Sequence, residues 1–311
     1  MIEVSGLSKN YMSIRAVDDV TFTIQKGEVV GFLGPNGAGK TTTMKMITGA
    51  IPSDAGTVKV AGYDVFEQPM EVKRRTGYLP ENPPVYTDMT VLDYLRFVGA
   101  IKGLGGRTLS AQVDSAMGRC NITGVSGRLI GNLSKGFKQR VGIAQAILGD
   151  PDVLILDEPT IGLDPNQIHE VRARIKDLAR ERTVVLSTHI LPEVEMTCQR
   201  VIVIHRGRIV ATDTIENIVK SRSGRESVLV RVARDADGAM TKIRQALSIY
   251  PSPHEGAGDA FVVTFEKDGD RREELAKLLV DGGHGLLEMR GMALSLEDVF
   301  RQLTTDEGKA A

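Results

Sequence analysis

Two cysteines in 311 residues, Cys120 and Cys198, stand far apart and in no metal-like spacing. That excludes a disulfide scaffold and a cysteine metal centre, and fits two reduced thiols in the cytosol. Charge of either sign is also not in excess. Lys and Arg number 39 against 40 Asp and Glu, a formal charge of −1. No overall field draws the chain to nucleic acid, and no nucleic-acid partner is expected. Long apolar runs are missing as well: none approaches the roughly 20 residues of a membrane helix. The opening MIEVSGLSKN lacks the basic-then-apolar layout of a secretory leader. What is present is an ordinary globular balance, 41% apolar and 25% charged, in a chain long enough for one large domain and a smaller one.

Residues 1–65 read as short strands and turns, with VDDVTFTI (17–24) and GEVVGFLG (27–34) strand-like. In the section 82–135, TVLDYLRFVGAIKG (90–103) sets Val91, Tyr94, Leu95 and Val98 at helical spacing, which predicts a helical subdomain. DVLILD (152–157), TVVLST (183–188) and VIVIHRG (201–207) are near-continuous apolar runs, as expected of strands covered on both faces. With the helical NQIHEVRARIKDLARER (166–182) between them, the alternation predicts an α/β fold with a mainly parallel sheet. A composition change near 220, through the polar SRSGRES (221–227), marks domains 1–220 and 221–311. The second is expected to be a small α/β unit. Its strands are SVLVRV (227–232), AFVVTFE (260–266) and GLLEMRG (285–291), and its helices GAMTKIRQALS (238–248), RREELAKLLVDG (271–282) and SLEDVFRQLT (295–304). The final TDEGKAA is expected to fray.

Chemistry concentrates at three strand ends. GPNGAGKT, that is Gly34, Pro35, Asn36, Gly37, Ala38, Gly39, Lys40 and Thr41, fits G-x-x-x-x-G-K-[ST] between a strand and a helix. Its glycines allow backbone N–H groups to curl around phosphates at a positive helix end. Lys40 then reaches the β- and γ-phosphates, and the Thr41 hydroxyl can ligate Mg²⁺. VLILDEPT (153–160) ends a buried strand in Asp157, a second Mg²⁺ ligand, and Glu158, placed to polarise the attacking water. STHI (187–190) brings His189 to the end of another apolar strand, where it can meet the γ-phosphate and orient water.

In this order, and with the signature LSKGF (133–137) and IGLDP (161–165), the chain resembles the ATP-binding subunit of ABC transporters over residues 1–220. GYLPEN, LSKGFKQR and the terminal SLEDVF look most like the export-type, gliding-motility-associated subgroup. The resemblance implies a P-loop NTPase fold with an antiparallel β part at the N-terminus and a small C-terminal α/β domain. It implies ATP and Mg²⁺ as cofactors, an integral-membrane permease as partner, and a place on the inner face of the cell membrane. It also implies a head-to-tail homodimer with two ATP molecules at its interface. One subunit would supply Gly34 to Thr42, Asp157, Glu158 and His189, with Tyr11 stacked on adenine. The other would supply Ser134 and Gly136, read as preceding a helix from Phe137, and Asp164 would cross the dimer. Glu81 departs from the usual glutamine; it can bind nucleotide or ligate Mg²⁺, but it donates no amide hydrogen bond. Two other classes are weighed: a soluble ABC ATPase of ribosomes or DNA, and a regulatory nucleotide-binding module. Translation-type relatives carry two ATPase sets and repair-type relatives long coiled coils, whereas this chain has one set and no sustained heptads. Lys40, Asp157, Glu158 and His189 together favour turnover over silent binding.

Overall fold

The computed structural model describes residues 1–222, 225–253, 259–266, 271–292 and 296–305. It divides into two compact units, Met1–Thr214 and Ile215–Ala311. In the first, β1 (Ile2–Tyr11), β2 (Ile14–Ile24), β4 (Ala55–Val60) and β5 (Tyr63–Asp64) form an antiparallel sheet in the order β2-β1-β4-β5. Strand β2 alternates: Val20, Phe22 and Ile24 are buried, while Thr21 and Thr23 are exposed. One face is therefore apolar and one wet, as antiparallel sheets allow.

The second sheet holds β3 (Val29–Leu33), β6 (Thr76–Leu79), β7 (Val153–Asp157), β8 (Thr183–Thr188), β9 (Arg200–His205) and β10 (Arg208–Thr214) in the order β10-β9-β3-β8-β7-β6. Its pairings are parallel apart from the β9–β10 hairpin. Every residue of β3, β7 and β8 is buried, so these apolar runs lie where both faces are covered. Helix α1 (Lys40–Ile47) follows β3, and Met44, Met46 and Ile47 join Phe22, Phe32, Val58 and Ile155 in one core shared by both sheets. The carboxyl ends of β3, β7 and β8 thus carry all three chemistry-bearing loops to one edge.

Helices α2 (Pro69–Arg75), α3 (Val91–Ile101), α4 (Gly106–Arg119) and α5 (Lys135–Ile147) come next, and α3, α4 and α5 pack on one another. Thr90 caps α3 by accepting from Asp93 N at 3.1 Å. Val91, Tyr94 and Leu95 are buried as the spacing predicts, but Val98 is only half-buried and Gly99 takes the inner position. Helix α5 starts at Lys135, two residues before the sequence reading, so Gly136 lies inside its first turn. Helices α6 (Pro165–Ala179) and α7 (Leu191–Thr197) complete this unit.

The second unit contains α8 (Ile215–Arg222), β11 (Arg225–Val232), α9 (Ala236–Leu247), β12 (Ser252–Pro253), β13 (Ala260–Glu266), α10 (Arg272–Asp281), β14 (Leu286–Met292) and α11 (Leu296–Thr305). Its antiparallel sheet runs β12-β13-β11-β14, and Val228, Val230, Phe261 and Val263 pack with Ile243 of α9 and Leu275 of α10. The units part at Thr214 and Ile215, ahead of the composition change at 220, because α8 packs with α11 in the second unit. The expected linker 221–227 is largely structured, as α8 ends at Arg222 and β11 begins at Arg225. Ser295, the first residue of the expected last helix, and the tail beyond Thr305 lie outside the described residues. No helix among the described residues is long and apolar enough to cross a membrane.

Candidate nucleotide site

Gly39 forms the turn into α1. Its φ of +104° and the Ala16 carbonyl, 2.4 Å from where a Cβ would stand, admit no side chain. The helix consequently begins without a side-chain cap, and its first N–H groups face the loop. Lys40, 6% exposed, donates to the Gly34 carbonyl at 2.8 Å and the Pro35 carbonyl at 3.2 Å. Its ammonium also lies 3.3 Å from Glu158 Oε1, and that carboxylate is equally buried. On the other side Glu158 Oε2 is 2.9 Å from His189 Nδ1. Lysine, carboxylate and imidazole form one chain, in surroundings dry enough to strengthen each contact.

Glu158 holds this place at a φ of +47°, the left-handed region that a side chain disfavours. Two backbone bonds brace it: its N–H donates to the Ser187 carbonyl at 2.8 Å, and its carbonyl accepts from Ile161 N at 3.2 Å.

Tyr11, Ala16, Asn36, Gly37, Gly39, Lys40, Thr41, Thr42, Glu81, Glu158 and Ile161 line one open cleft of about 420 Å³. Tyr11 stands at the rim, 46% exposed. Asp157 lies beneath, fully buried, where Oδ1 accepts from Ser187 Oγ at 2.7 Å. Burial pushes its carboxyl above the usual range, and Glu158 and Glu81 add to this; the Ser187 and Thr41 hydroxyls oppose it. Asp157 Oδ2 has no partner of acceptable hydrogen-bond geometry, although Thr41 is near. An orphaned anionic oxygen beside a hydroxyl, with a second carboxylate at hand in Glu81, fits the oxygen donor set of Mg²⁺.

Ser134, Gly136 and Asp164 do not line this cleft. They gather instead where α5 and α6 begin. Ser134 accepts from Phe137 N at 3.4 Å, and Asp164 caps α6 by accepting from Gln167 N at 2.9 Å. Gly136 packs so closely on Gln167 that a Cβ would stand 2.6 Å from its Cδ. Lys135 lies over Gly162, its Nζ 2.2 Å from the position of a Cβ there. Phe137 carries the Arg140 guanidinium 4.5 Å above its ring.

Sequence reasoning missed Ala16 and Ile161 as cleft walls and Ser187 as the partner of Asp157. Ser187 was readable, since it opens STHI in the register that pairs it with Asp157. Ala16 carries no signal in a sequence, because only the fold brings β2 against Gly39.

A phosphate-binding turn opening a helix, with acidic and histidine-bearing ends of neighbouring parallel strands beside it, defines a phosphate-loop nucleotide fold. Comparison with known proteins sharpens this. The family described as ABC transporter matches residues 17–161. The chain is 34% identical over 305 residues to the bacitracin transport ATP-binding protein BcrA of Bacillus licheniformis, covering 97% of each. It is 33% identical over 307 residues to the Nod factor export ATP-binding protein I of Burkholderia lata, covering 98% of this chain and 97% of the relative. A solved ATP-binding subunit of an ABC transporter superposes with a TM-score of 0.66 at 32% identity, over 72% of this chain and 93% of that one. The chain belongs to the ATP-binding proteins of ABC transporters.

Proposed function

We propose that this protein hydrolyses ATP to drive export through a separate membrane subunit. The observation that carries the hydrolytic reading is the contact chain Lys40–Glu158–His189 above a buried Asp157 with a free oxygen. Tyr11 would stack on adenine, and the uncapped start of α1 with Lys40 would hold the β- and γ-phosphates. Thr41, Asp157 and Glu81 would hold Mg²⁺, which would supply charge neutralisation for the phosphate oxygens. Glu158 takes the proton of the attacking water, and His189, in contact with Oε2, keeps the carboxylate aimed and meets the γ-phosphate.

Ser134, Gly136 and Asp164 lie away from the cleft, so they serve a second copy. In a head-to-tail homodimer they would close the partner's site over its γ-phosphate. The resemblance to transport and export ATP-binding proteins supports a permease partner, and with it a position on the inner face of the cell membrane. GYLPEN and LSKGFKQR support the gliding-motility-associated subgroup within the export type.

Glu158→Gln is the direct test. It should keep ATP binding, lower turnover by roughly 10²–10⁴-fold, and accumulate an ATP-bound dimer on size exclusion. Undiminished hydrolysis would refute the assigned base. Purification from membranes should bring an integral-membrane protein with the chain; recovery with ribosomes instead would overturn the transport reading.

A further inference from the structure

One buried carboxylate has no task in the chemistry above. Glu193, in the first turn of α7, is 1% exposed. The Thr160 hydroxyl donates to its Oε1, and the Thr188 hydroxyl donates to its Oε2 at 2.9 Å. Arg172 of α6 brings Nη2 to 3.7 Å from Oε1. Thr188 Oγ1 also accepts from Ile190 N at 3.1 Å, which fixes the turn on either side of His189.

Position in the chain gives these bonds their meaning. Thr160 lies two residues after Glu158, and Thr188 immediately precedes His189. A single carboxylate therefore ties together the two loops whose tips meet as Glu158 and His189. We propose that Glu193 is a positioning residue for hydrolysis: its two oxygens set the spacing between the loops and so hold the Glu158–His189 pair in contact. The proposal rests on Glu158 being the base.

Two physical arguments support it. Glu158 occupies a left-handed backbone conformation, which persists only when its surroundings over-determine it. The tether at Thr160 adds a side-chain constraint to the two backbone bonds, one within the loop to Ile161 and one to Ser187 of β8. A buried carboxylate paired with an arginine, moreover, is a weak stabiliser compared with apolar packing of the same volume. Its value here is directional, since misplacing a reacting group by about 1 Å can cost about 10²-fold in rate.

The test uses Thr160→Val and Thr188→Val, which keep side-chain shape and remove one hydroxyl each, in the full chain with ATP and Mg²⁺. Each should lower kcat by about tenfold while ATP affinity stays within about twofold. The double variant should fall by less than the product of the singles, because one broken tether already frees the loops. Thr160→Ser should restore kcat. In a Glu158→Gln background the same valine changes should alter the residual rate by less than about twofold. Equal losses in both backgrounds, an unchanged kcat, or a parallel loss of ATP affinity would overturn the role of Glu193. Wild-type turnover in Glu158→Gln alone would instead overturn the base assignment, so the two failures are told apart.

Discussion

Helices α1 and α5 both begin where glycine meets a helix N-terminus, yet their first turns are built differently. At α1 the N-cap is Gly39, which has no side chain to offer, and the next residue is a buried lysine. At α5 the N-cap is Ser134, whose hydroxyl already accepts from Phe137 N, and the glycine sits one turn-position inside against Gln167. The first end leaves its donors to the loop it closes. The second satisfies one of its own donors and presses its glycine on a neighbouring helix. Under the proposed function, an anion at α1 would enter a cleft formed within one chain, whereas an anion at α5 would come from a second copy.

Lys40→Ala is the largest test of that contrast. It removes the buried ammonium that donates into the α1 loop, and phosphate affinity should fall by roughly 10–100-fold in a nucleotide-binding titration. Unchanged binding would mean that backbone donors alone hold the nucleotide. Next, Gly136→Val should lower turnover by about tenfold or more with binding to the cleft preserved, since its side chain would collide with Gln167. Lys135→Gly should leave turnover within about twofold, because that lysine lies over Gly162. If both variants were equally harmful, the lysine would have to count among the groups at the phosphate.

Asp157, beside the start of α1, separates stability from chemistry. Burial holds its carboxyl above the ordinary value of 3.8, so the folded chain keeps a proton that the unfolded chain releases. The resulting stability is present at low pH and is lost as pH rises through the raised value. Asp157→Asn should therefore gain in melting temperature relative to the parent as pH rises in Mg²⁺-free buffer, while losing Mg²⁺-dependent hydrolysis. The smallest effect concerns the far end of α5, where Lys102 donates to the carbonyls of Gln145, Ala146 and Leu148. Burial pushes this amine from 10.5 down to about 8 in the folded chain. Between those values the unfolded chain binds the extra proton, so stability should rise with pH across the window. Urea midpoints at both ends should show it, and Lys102→Met should flatten the slope.

The strand ends were legible because β3, β7 and β8 are buried on both faces, and an uninterrupted apolar run closing on Lys, Asp-Glu or His has few other readings. Helix α5 was harder. It is buried nearly all round, from Gln139 to Leu148, so periodicity puts its start at Phe137, two residues late, and the capping hydroxyl of Ser134 sets it at Lys135. The boundary near 220 misled for a different reason. Composition records polarity, whereas the division between units depends on whether α8 finds a neighbour in α11. Glu193 was not read from the sequence, because its partners lie 33 and 5 residues away in two separate loops.

Position 158 also shapes how this protein would respond to selection. A glycine there would relax a backbone conformation that glutamate strains by about 1–3 kcal/mol, but it would also strip the buried Lys40 ammonium of its counter-charge. A library screened for heat resistance alone would thus weigh relief of that strain against an unpaired ammonium, with no stake in turnover. Keeping glutamate at 158 requires a screen that reads activity, and the left-handed turn is the visible mark of that conflict.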